Sequence, residues 1–167
     1  MIVARRFATQ GDWPMAKAPY DNGLARRAAN FQPLTPLTFL ARAAAVFPDH
    51  PAIMHGHQRW TYAEFYARAR ALASALVKHG IKRGDTVSVM LPNVPPMLEA
   101  HYGVPMAGAV LNAINTRLDA AVIAFILDHA ETKVLIVDRE FAHVVKQALA
   151  LADAKPLVIS YDDPVFA

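Results

Sequence analysis

The sequence predicts an α/β fold, a parallel doubly wound sheet with flanking helices, and two observations predict it. From residue 86 onward, short runs rich in Val, Leu and Ile alternate with amphipathic segments of about a dozen residues, which is the pattern of βαβ units. Residues 134–137, Val-Leu-Ile-Val, are apolar throughout, as expected for a strand that helices cover on both faces.

Composition sets the class of protein. The chain has 167 residues, which is the length of about one domain. Because 54% of its residues are hydrophobic and 19% are charged, we expect a globular protein with a sizeable core. It contains no cysteine, which excludes disulfides, thiolate metal sites and a cysteine nucleophile. No apolar run approaches the roughly 18 residues that span a membrane, and no secretory signal pattern is present. We therefore expect no transmembrane segment and a cytoplasmic location.

The basic excess is modest, with a net charge of +3, and much of it lies near the N-terminus. Nucleic-acid binders usually align Lys and Arg along one element with aromatic partners, and no such stripe is present. A solvated basic arm is therefore favoured over a nucleic-acid partner. The residues that form it are Arg5, Arg6, Lys17, Arg26 and Arg27.

Residues 1–35 lack hydrophobic periodicity and contain three prolines, so we predict an extended N-terminal arm there and an α/β subdomain over 36–167. Thr35 before Pro36 predicts the start of a helix over 36–47 that buries Leu37, Leu40, Ala44 and Phe47.

A short hairpin should follow, with its turn at residues 55–57. Thr61 and Glu64 then form a capping box that opens a helix ending at Gly80, with Phe65, Ala69, Leu72 and Leu76 on its buried face. The later strands are predicted at 86–91, 110–113, 134–137 and 157–160, and the later helices at 95–107, 119–129 and 140–151.

Gly103 and Gly108 are spaced like the glycines of a phosphate-binding loop, but the Lys and Ser/Thr that such a loop needs do not follow Gly108. Both glycines also fall within or at the end of a predicted helix. We therefore expect a packing role: Gly103 lets the helix approach the sheet, and Gly108 ends it. The dinucleotide fingerprint GxGxxG is absent as well.

No catalytic or metal-binding residue is predicted. His55 and His57 lie in a predicted turn without a third ligand, and His101 is expected to be a core or interface histidine. Glu99 is expected to face water. Asp162 and Asp163 are expected to form a solvated turn, and none of the three serines lies in a GxSxG motif.

Asn115 and Arg117 are the best binding candidates on physical grounds. They lie just past the C-terminal end of a predicted strand, where α/β folds bind ligands. Helix capping and a surface ion pair are the alternative roles for them.

The segment TYAEFYARARALASALVKHGIKRGDTVSVMLPNVPPMLEAHYGVPMAGAVLNAINTRLDAAVIAFILDHAETKVLIVD resembles the N-terminal region of AMP-forming acyl-CoA synthetases, in the adenylate-forming superfamily. Upstream, ARRAANFQPLTPLTFLARAAAVFPDHPAIMHG is similar to the branch that activates short- and medium-chain fatty acids and related small carboxylic acids. The likeness runs from about residue 20 to residue 163. Its pieces are the capping box, Leu91-Pro92-Asn93, Ala107-Gly108-Ala109, residues 115–118 and residues 133–138.

This resemblance implies the first subdomain of an enzyme that joins a carboxylate to the α-phosphate of ATP and passes the acyl group to coenzyme A. ATP, Mg²⁺ and coenzyme A are the implied cofactors of the whole enzyme, and the remainder of the enzyme is the implied partner. The family's phosphate loop, magnesium glutamate, ribose aspartate and catalytic lysine lie downstream of the matched region. We therefore expect a truncated chain that is inactive, binds no cofactor alone and self-associates through the surface that the longer enzyme buries.

Two alternatives remain open. One is a stand-alone module that binds coenzyme A or an acyl chain without chemistry, and the other is an interaction domain that pairs with a separately encoded remainder. Sequencing the DNA beyond codon 167 would distinguish these two alternatives from the fragment hypothesis. The fragment hypothesis predicts a reading frame that continues into the phosphate loop.

Met15 lies just ahead of the first residues that resemble the family and is a candidate initiator. Deletion of residues 1–14 should change the melting temperature by only a few degrees, because an untethered terminus contributes little to stability. Differential scanning calorimetry of the two chains measures this, and a large drop would show that the arm is structural.

Overall fold

The computed structural model describes Phe31 and residues 35–165. The arm predicted over 1–35 lies almost wholly outside these residues, so the arm and its boundary stay predictions. The elements in the described part follow the predicted order. The helices are α1 Pro36–Val46, α2 Tyr62–Lys78, α3 Pro95–Met106, α4 Ala120–His129 and α5 Ala142–Leu151, and the strands are β1 Pro51–His55, β2 Gln58–Thr61, β3 Thr86–Met90, β4 Val110–Ala113, β5 Thr132–Asp138 and β6 Leu157–Tyr161.

The predicted caps are confirmed. At the start of α2 the Thr61 N–H donates to Glu64 Oε2 at 2.8 Å, and the Glu64 N–H donates to Thr61 Oγ1 at 3.3 Å. Thr35 caps α1 by accepting the Thr38 N–H, and Gly80 follows α2 with a φ of +87°. The side-chain caps provide acceptors for backbone N–H groups that have no partner within the helix. Gly80 adopts the left-handed backbone conformation that follows the end of α2, which a glycine does without steric cost.

One burial prediction for α1 is wrong. Phe47 is 59% exposed, because the helix ends at Val46 and Phe47, its C-cap, has left the helical conformation. Leu40 is buried as predicted. The hairpin is confirmed as β1 paired antiparallel with β2, but His55 lies at the end of β1 rather than in the turn.

The four-stranded sheet is parallel, in the order β4-β3-β5-β6. The chain passes from β3 to β4 in one direction and then from β4 over to β5 in the other, so the sheet is doubly wound as predicted. The strand order therefore reverses between β3 and β5. In open α/β sheets this reversal opens a crevice at the carboxyl ends of the strands.

The core around the four-stranded sheet has two layers, one on each face, and a third cluster packs α1, β1 and α2 together. Along β5, Val134 and Ile136 pack in one layer with residues of α2 and α3, whereas Leu135 and Val137 pack in the other with residues of α4 and α5. This alternation is the period-two geometry of a strand buried on both faces. The prediction for residues 134–137 is confirmed.

Gly103 has a different packing partner from the one predicted. A Cβ at this position would lie 2.9 Å from the Ala69 carbonyl oxygen and 2.8 Å from Leu72 Cδ2, so the glycine allows α3 to approach α2 rather than the sheet. Gly108 has a φ of +77° and ends α3 as predicted.

Gly103→Ala should destabilise the fold by about 1–2 kcal/mol, because the clash with backbone outweighs the gain in helix propensity. Urea unfolding followed by circular dichroism measures the change in free energy. His101→Ala, an exposed position on the same helix, is the control and should change it by less than about 0.5 kcal/mol. A Gly103→Ala variant as stable as the parent would contradict the close approach.

Candidate functional site

A cavity of about 810 Å³ opens at the point where the strand order reverses. Its walls come from the segments that follow β3, β5 and β6 and from the end of β1. The carboxyl ends of parallel strands meet at one edge of a sheet, which is why segments distant in sequence converge there. The lining residues are His55, Pro92, Asn93, Val94, Asp138, Arg139, Glu140, Asp162 and Asp163.

His55 and Asp163 form a largely buried pair in this wall. His55 Nε2 lies 2.8 Å from Asp163 Oδ2, and the two side chains are 12% and 10% exposed. Asp163 Oδ1 also accepts the Val165 N–H at 2.9 Å, and Val165 packs over Gly56 in the hairpin turn. Residues 163–165 are thereby attached to the β1–β2 hairpin.

The solvated turn predicted for Asp162 and Asp163 is correct only for the first. Asp162 is exposed and accepts from Arg139 Nη1 at 2.8 Å, but Asp163 is buried. No local pattern indicates a partner for Asp163, because His55 lies 108 positions away along the chain.

The cavity wall is acidic. Four of its side chains carry carboxylates, and Arg139 is its one lysine or arginine. At the end of β6 the pKa of the Tyr161 phenol is raised, first by burial and then by the charges of Asp163 and Asp138. Such a wall disfavours phosphate and carboxylate groups and favours ligands that donate hydrogen bonds.

Asp138 has a structural part in this wall as well. It is buried, and its Oδ1 accepts the Glu140 N–H at 2.9 Å, which caps the short 3₁₀ turn before α5. Within residues 35–165 no group of three or more His, Asp or Glu side chains is arranged to hold a metal ion.

An apolar cleft of about 300 Å³ continues the cavity between β1 and the start of α3. Both share His55, Asn93 and Val94, and the cleft adds exposed side chains such as Met54 and Leu98. The cavity and the cleft together form one continuous trough, with an acidic half at the cavity and an apolar half at the cleft.

One prediction for α3 is wrong and another is wrong in part. His101 is exposed at the margin of the cleft, with its Nδ1 2.8 Å from the Met97 carbonyl oxygen, so it is not a core histidine, and its alternative role at an interface stays a prediction. Glu99, expected to face water, is buried and forms an ion pair with Arg68 of α2. Arg68 also lies over the Trp60 ring, 5.2 Å from its centroid. The Arg68–Glu99 pair links α2 to α3. No local sequence pattern predicts it, because the two residues are 31 positions apart.

Asn115 and Arg117 follow β4, one of the two edge strands of this sheet, and do not line this cavity. Asn115 Oδ1 accepts the Arg117 N–H at 2.9 Å, so the asparagine stabilises a local turn. A ligand-binding role for the two residues stays a prediction.

The sequence analysis did not identify the acidic wall, although the position of polar residues just after predicted strands pointed to it. Asn93 and Asp138 also follow predicted strands, as Asn115 does. Only the strand order identifies which of these ends adjoin the crevice, and the sequence does not state that order.

Comparison with known proteins supplies the family. A family model described as AMP-binding enzyme matches residues 40–167. A peroxisomal butyrate–CoA ligase from Arabidopsis thaliana is 52% identical over 123 residues, which cover 74% of this chain and 22% of that protein. An acetate–CoA ligase from Humulus lupulus is 48% identical over 128 residues, 77% of this chain and 22% of that protein.

A solved structure, the fatty acyl CoA synthetase of Mycobacterium tuberculosis, superimposes with a TM-score of 0.65 at 32% identity, covering 77% of this chain and 26% of that one. The chain thus spans about a fifth of the length of the two plant ligases, 22% in each case. Of the helices in the described part, none combines the length and apolar character that crossing a bilayer requires.

A double-mutant cycle on His55→Ala and Asp163→Ala should give a coupling energy of about 1–3 kcal/mol, because each change removes the partner of a buried polar group. The same cycle on the exposed Arg139–Asp162 pair is the control and should give under about 0.5 kcal/mol. Urea unfolding of the parent and the six variants measures both. Equal coupling in the two cycles would contradict a structural role for the buried pair.

Proposed function

The chain belongs to the family of AMP-binding enzymes, and from this membership we propose that it forms part of an AMP-forming acyl-CoA synthetase. Such an enzyme joins a carboxylate to the α-phosphate of ATP, releases pyrophosphate and transfers the acyl group to the thiol of coenzyme A. The observation that carries the proposal is the identity of about half over three-quarters of the chain with proteins named CoA ligases.

For the substrate we propose a short- or medium-chain carboxylic acid. The similar ligases are named for butyrate and acetate, and another, 48% identical over 127 residues, is named for benzoate. All three names denote small acids, which supports this class over a long-chain fatty acid.

ATP, Mg²⁺ and coenzyme A are the proposed cofactors of the longer enzyme. The residues of the described cavity do not fit the triphosphate, because four carboxylate side chains face a single arginine there. The proposed part of this chain is therefore to provide a folded α/β layer against which the remainder of the enzyme packs, and the phosphates are held by that remainder. We propose that the chain alone is inactive.

A second candidate is a binding module that holds coenzyme A or an acyl chain without chemistry. The continuous trough favours it, since its apolar half could accept an alkyl chain. The acidic half of the trough disfavours the binding of coenzyme A, because the phosphates of coenzyme A carry negative charge.

Two further parts of the proposal concern the setting. We propose a cytoplasmic location, which imaging of the fluorescently tagged chain in its own cells would test; a peroxisomal signal would overturn it. We also propose self-association through a surface that the longer enzyme would bury. Sedimentation equilibrium of the chain over a concentration series would test this, and a monomeric mass throughout would overturn it.

The 167-residue chain should catalyse no butyrate-dependent exchange between ATP and pyrophosphate, because its described cavity sets four carboxylates beside one arginine and so does not favour the charge that develops on the α-phosphate. The complete gene product should catalyse it and should form butyryl-CoA. Isotope exchange with acetate, butyrate and benzoate measures the reaction, and a mock purification from the host controls for contaminating synthetase.

The outcomes separate the candidates. Exchange by the chain itself would overturn the fragment proposal, and a complete gene product inactive with all three acids would overturn the proposed substrate class. Saturable binding of butyryl-CoA to the chain without exchange, measured by calorimetry, would favour the binding module.

A further inference from the structure

We propose that the β1–β2 hairpin is a hinged wall of the trough, fixed to α2 at its base and held closed at its tip by the His55–Asp163 pair. The tip consists of residues 54–59, and the base consists of residues 51–53 and 60–61. Every contact that supports this device lies within residues 51–165, and none of them depends on the proposed ligase activity.

The base of the hairpin is attached by packing. Ile53 is buried in a cluster with Phe65 of α2, and the guanidinium of Arg68 lies over the Trp60 ring. Apolar burial and a cation–π contact therefore fix this end to the helix. The pairing of β1 with β2 is irregular between Pro51 and Ile53, and such irregularities bend a strand. The base thus combines an anchor with a position at which the hairpin can bend.

The tip lacks comparable packing. None of residues 54–59 is buried, and Met54 is 70% exposed. Arg59 Nη1 donates to the Gly56 and Gln58 carbonyl oxygens at 2.7 and 2.8 Å, so these bonds stabilise the turn itself. Within the described residues the hairpin forms a separate two-stranded sheet, and an isolated hairpin is only marginally stable in water. The tip therefore depends on contacts outside the hairpin to keep its place.

The His55–Asp163 pair supplies such a contact. His55 Nε2 lies 2.8 Å from Asp163 Oδ2, both side chains are largely buried, and Val165 packs over Gly56 beside them. When the pair separates, water hydrates both polar groups and offsets much of the lost hydrogen bond. The pair thus holds the tip closed and can still be released at a modest cost in free energy, which is the property of a latch.

Opening at the tip enlarges both halves of the trough. His55 lines the acidic cavity as well as the apolar cleft, and Met54 lines the cleft on the hairpin side. Leu98 of α3 lines the cleft on the opposite side, and the Arg68–Glu99 ion pair fixes α3 to α2. Since the α3 wall is fixed in this way, the position of the hairpin tip sets the width of the cleft.

The test measures the distance across the cleft by dipolar electron paramagnetic resonance. The chain contains no cysteine, so Met54→Cys with Leu98→Cys provides two unique, exposed sites for spin labels. The parent background should give one short distance. Asp163→Ala removes the latch and should raise the fraction of a longer distance by about tenfold. Asp162→Ala removes the neighbouring exposed carboxylate and should leave the distance distribution unchanged.

A second label pair distinguishes hinge motion from general loosening of the fold. Leu98→Cys with Phe125→Cys joins α3 and α4, which cover opposite faces of the sheet, and both positions are exposed. This distance should be the same with Asp163, Asp163→Ala and Asp162→Ala, and circular dichroism establishes that each labelled chain is folded. The proposal is overturned by an unchanged cleft distance in Asp163→Ala, by a long distance that already dominates in the parent background, by an equal effect of Asp162→Ala, or by a change at the second pair.

Discussion

The burial of β5 between two layers of helices is the constraint on which the rest of this structure depends. Its side chains alternate between the two core layers, so helices must cover both faces of the sheet. Chain connections that place α3 on one face and α4 and α5 on the other must reverse direction between β3 and β5, since such crossovers are right-handed. The crevice at that reversal is therefore a consequence of how β5 is buried.

Polar groups inside this frame are paired across elements rather than within them. Ser88 on β3 is buried, and its Oγ lies 2.7 Å from Thr132 Oγ1 on β5 and accepts from Asn112 Nδ2 on β4 at 2.9 Å. Among the described residues every fully buried side-chain nitrogen or oxygen has a partner. Unpaired polar groups in a core are costly, so such contacts fix the strand register and the positions of the cavity walls.

Local signals in the sequence were sufficient for most elements of this fold. Caps such as Thr61 with Glu64 act over three positions, and strand burial at residues 134–137 is visible as a continuous apolar run. The contacts that sequence reasoning missed, His55 with Asp163 and Arg68 with Glu99, join residues far apart in the chain. Periodicity describes which face of an element is apolar, but it does not state which element lies opposite a polar residue.

The same limit explains the choice of candidate residues. The rule that ligands bind beyond the carboxyl ends of strands applied equally to Asn115 and Asp138, and the sequence alone could not rank them. Strand order ranks them, because β4 lies at an edge and β5 adjoins the reversal. The crevice selected in this way carries four carboxylate side chains and one arginine, so its wall disfavours phosphate groups and favours ligands that donate hydrogen bonds. This charge pattern supports the proposal that the phosphates are held by parts of a longer enzyme outside this chain.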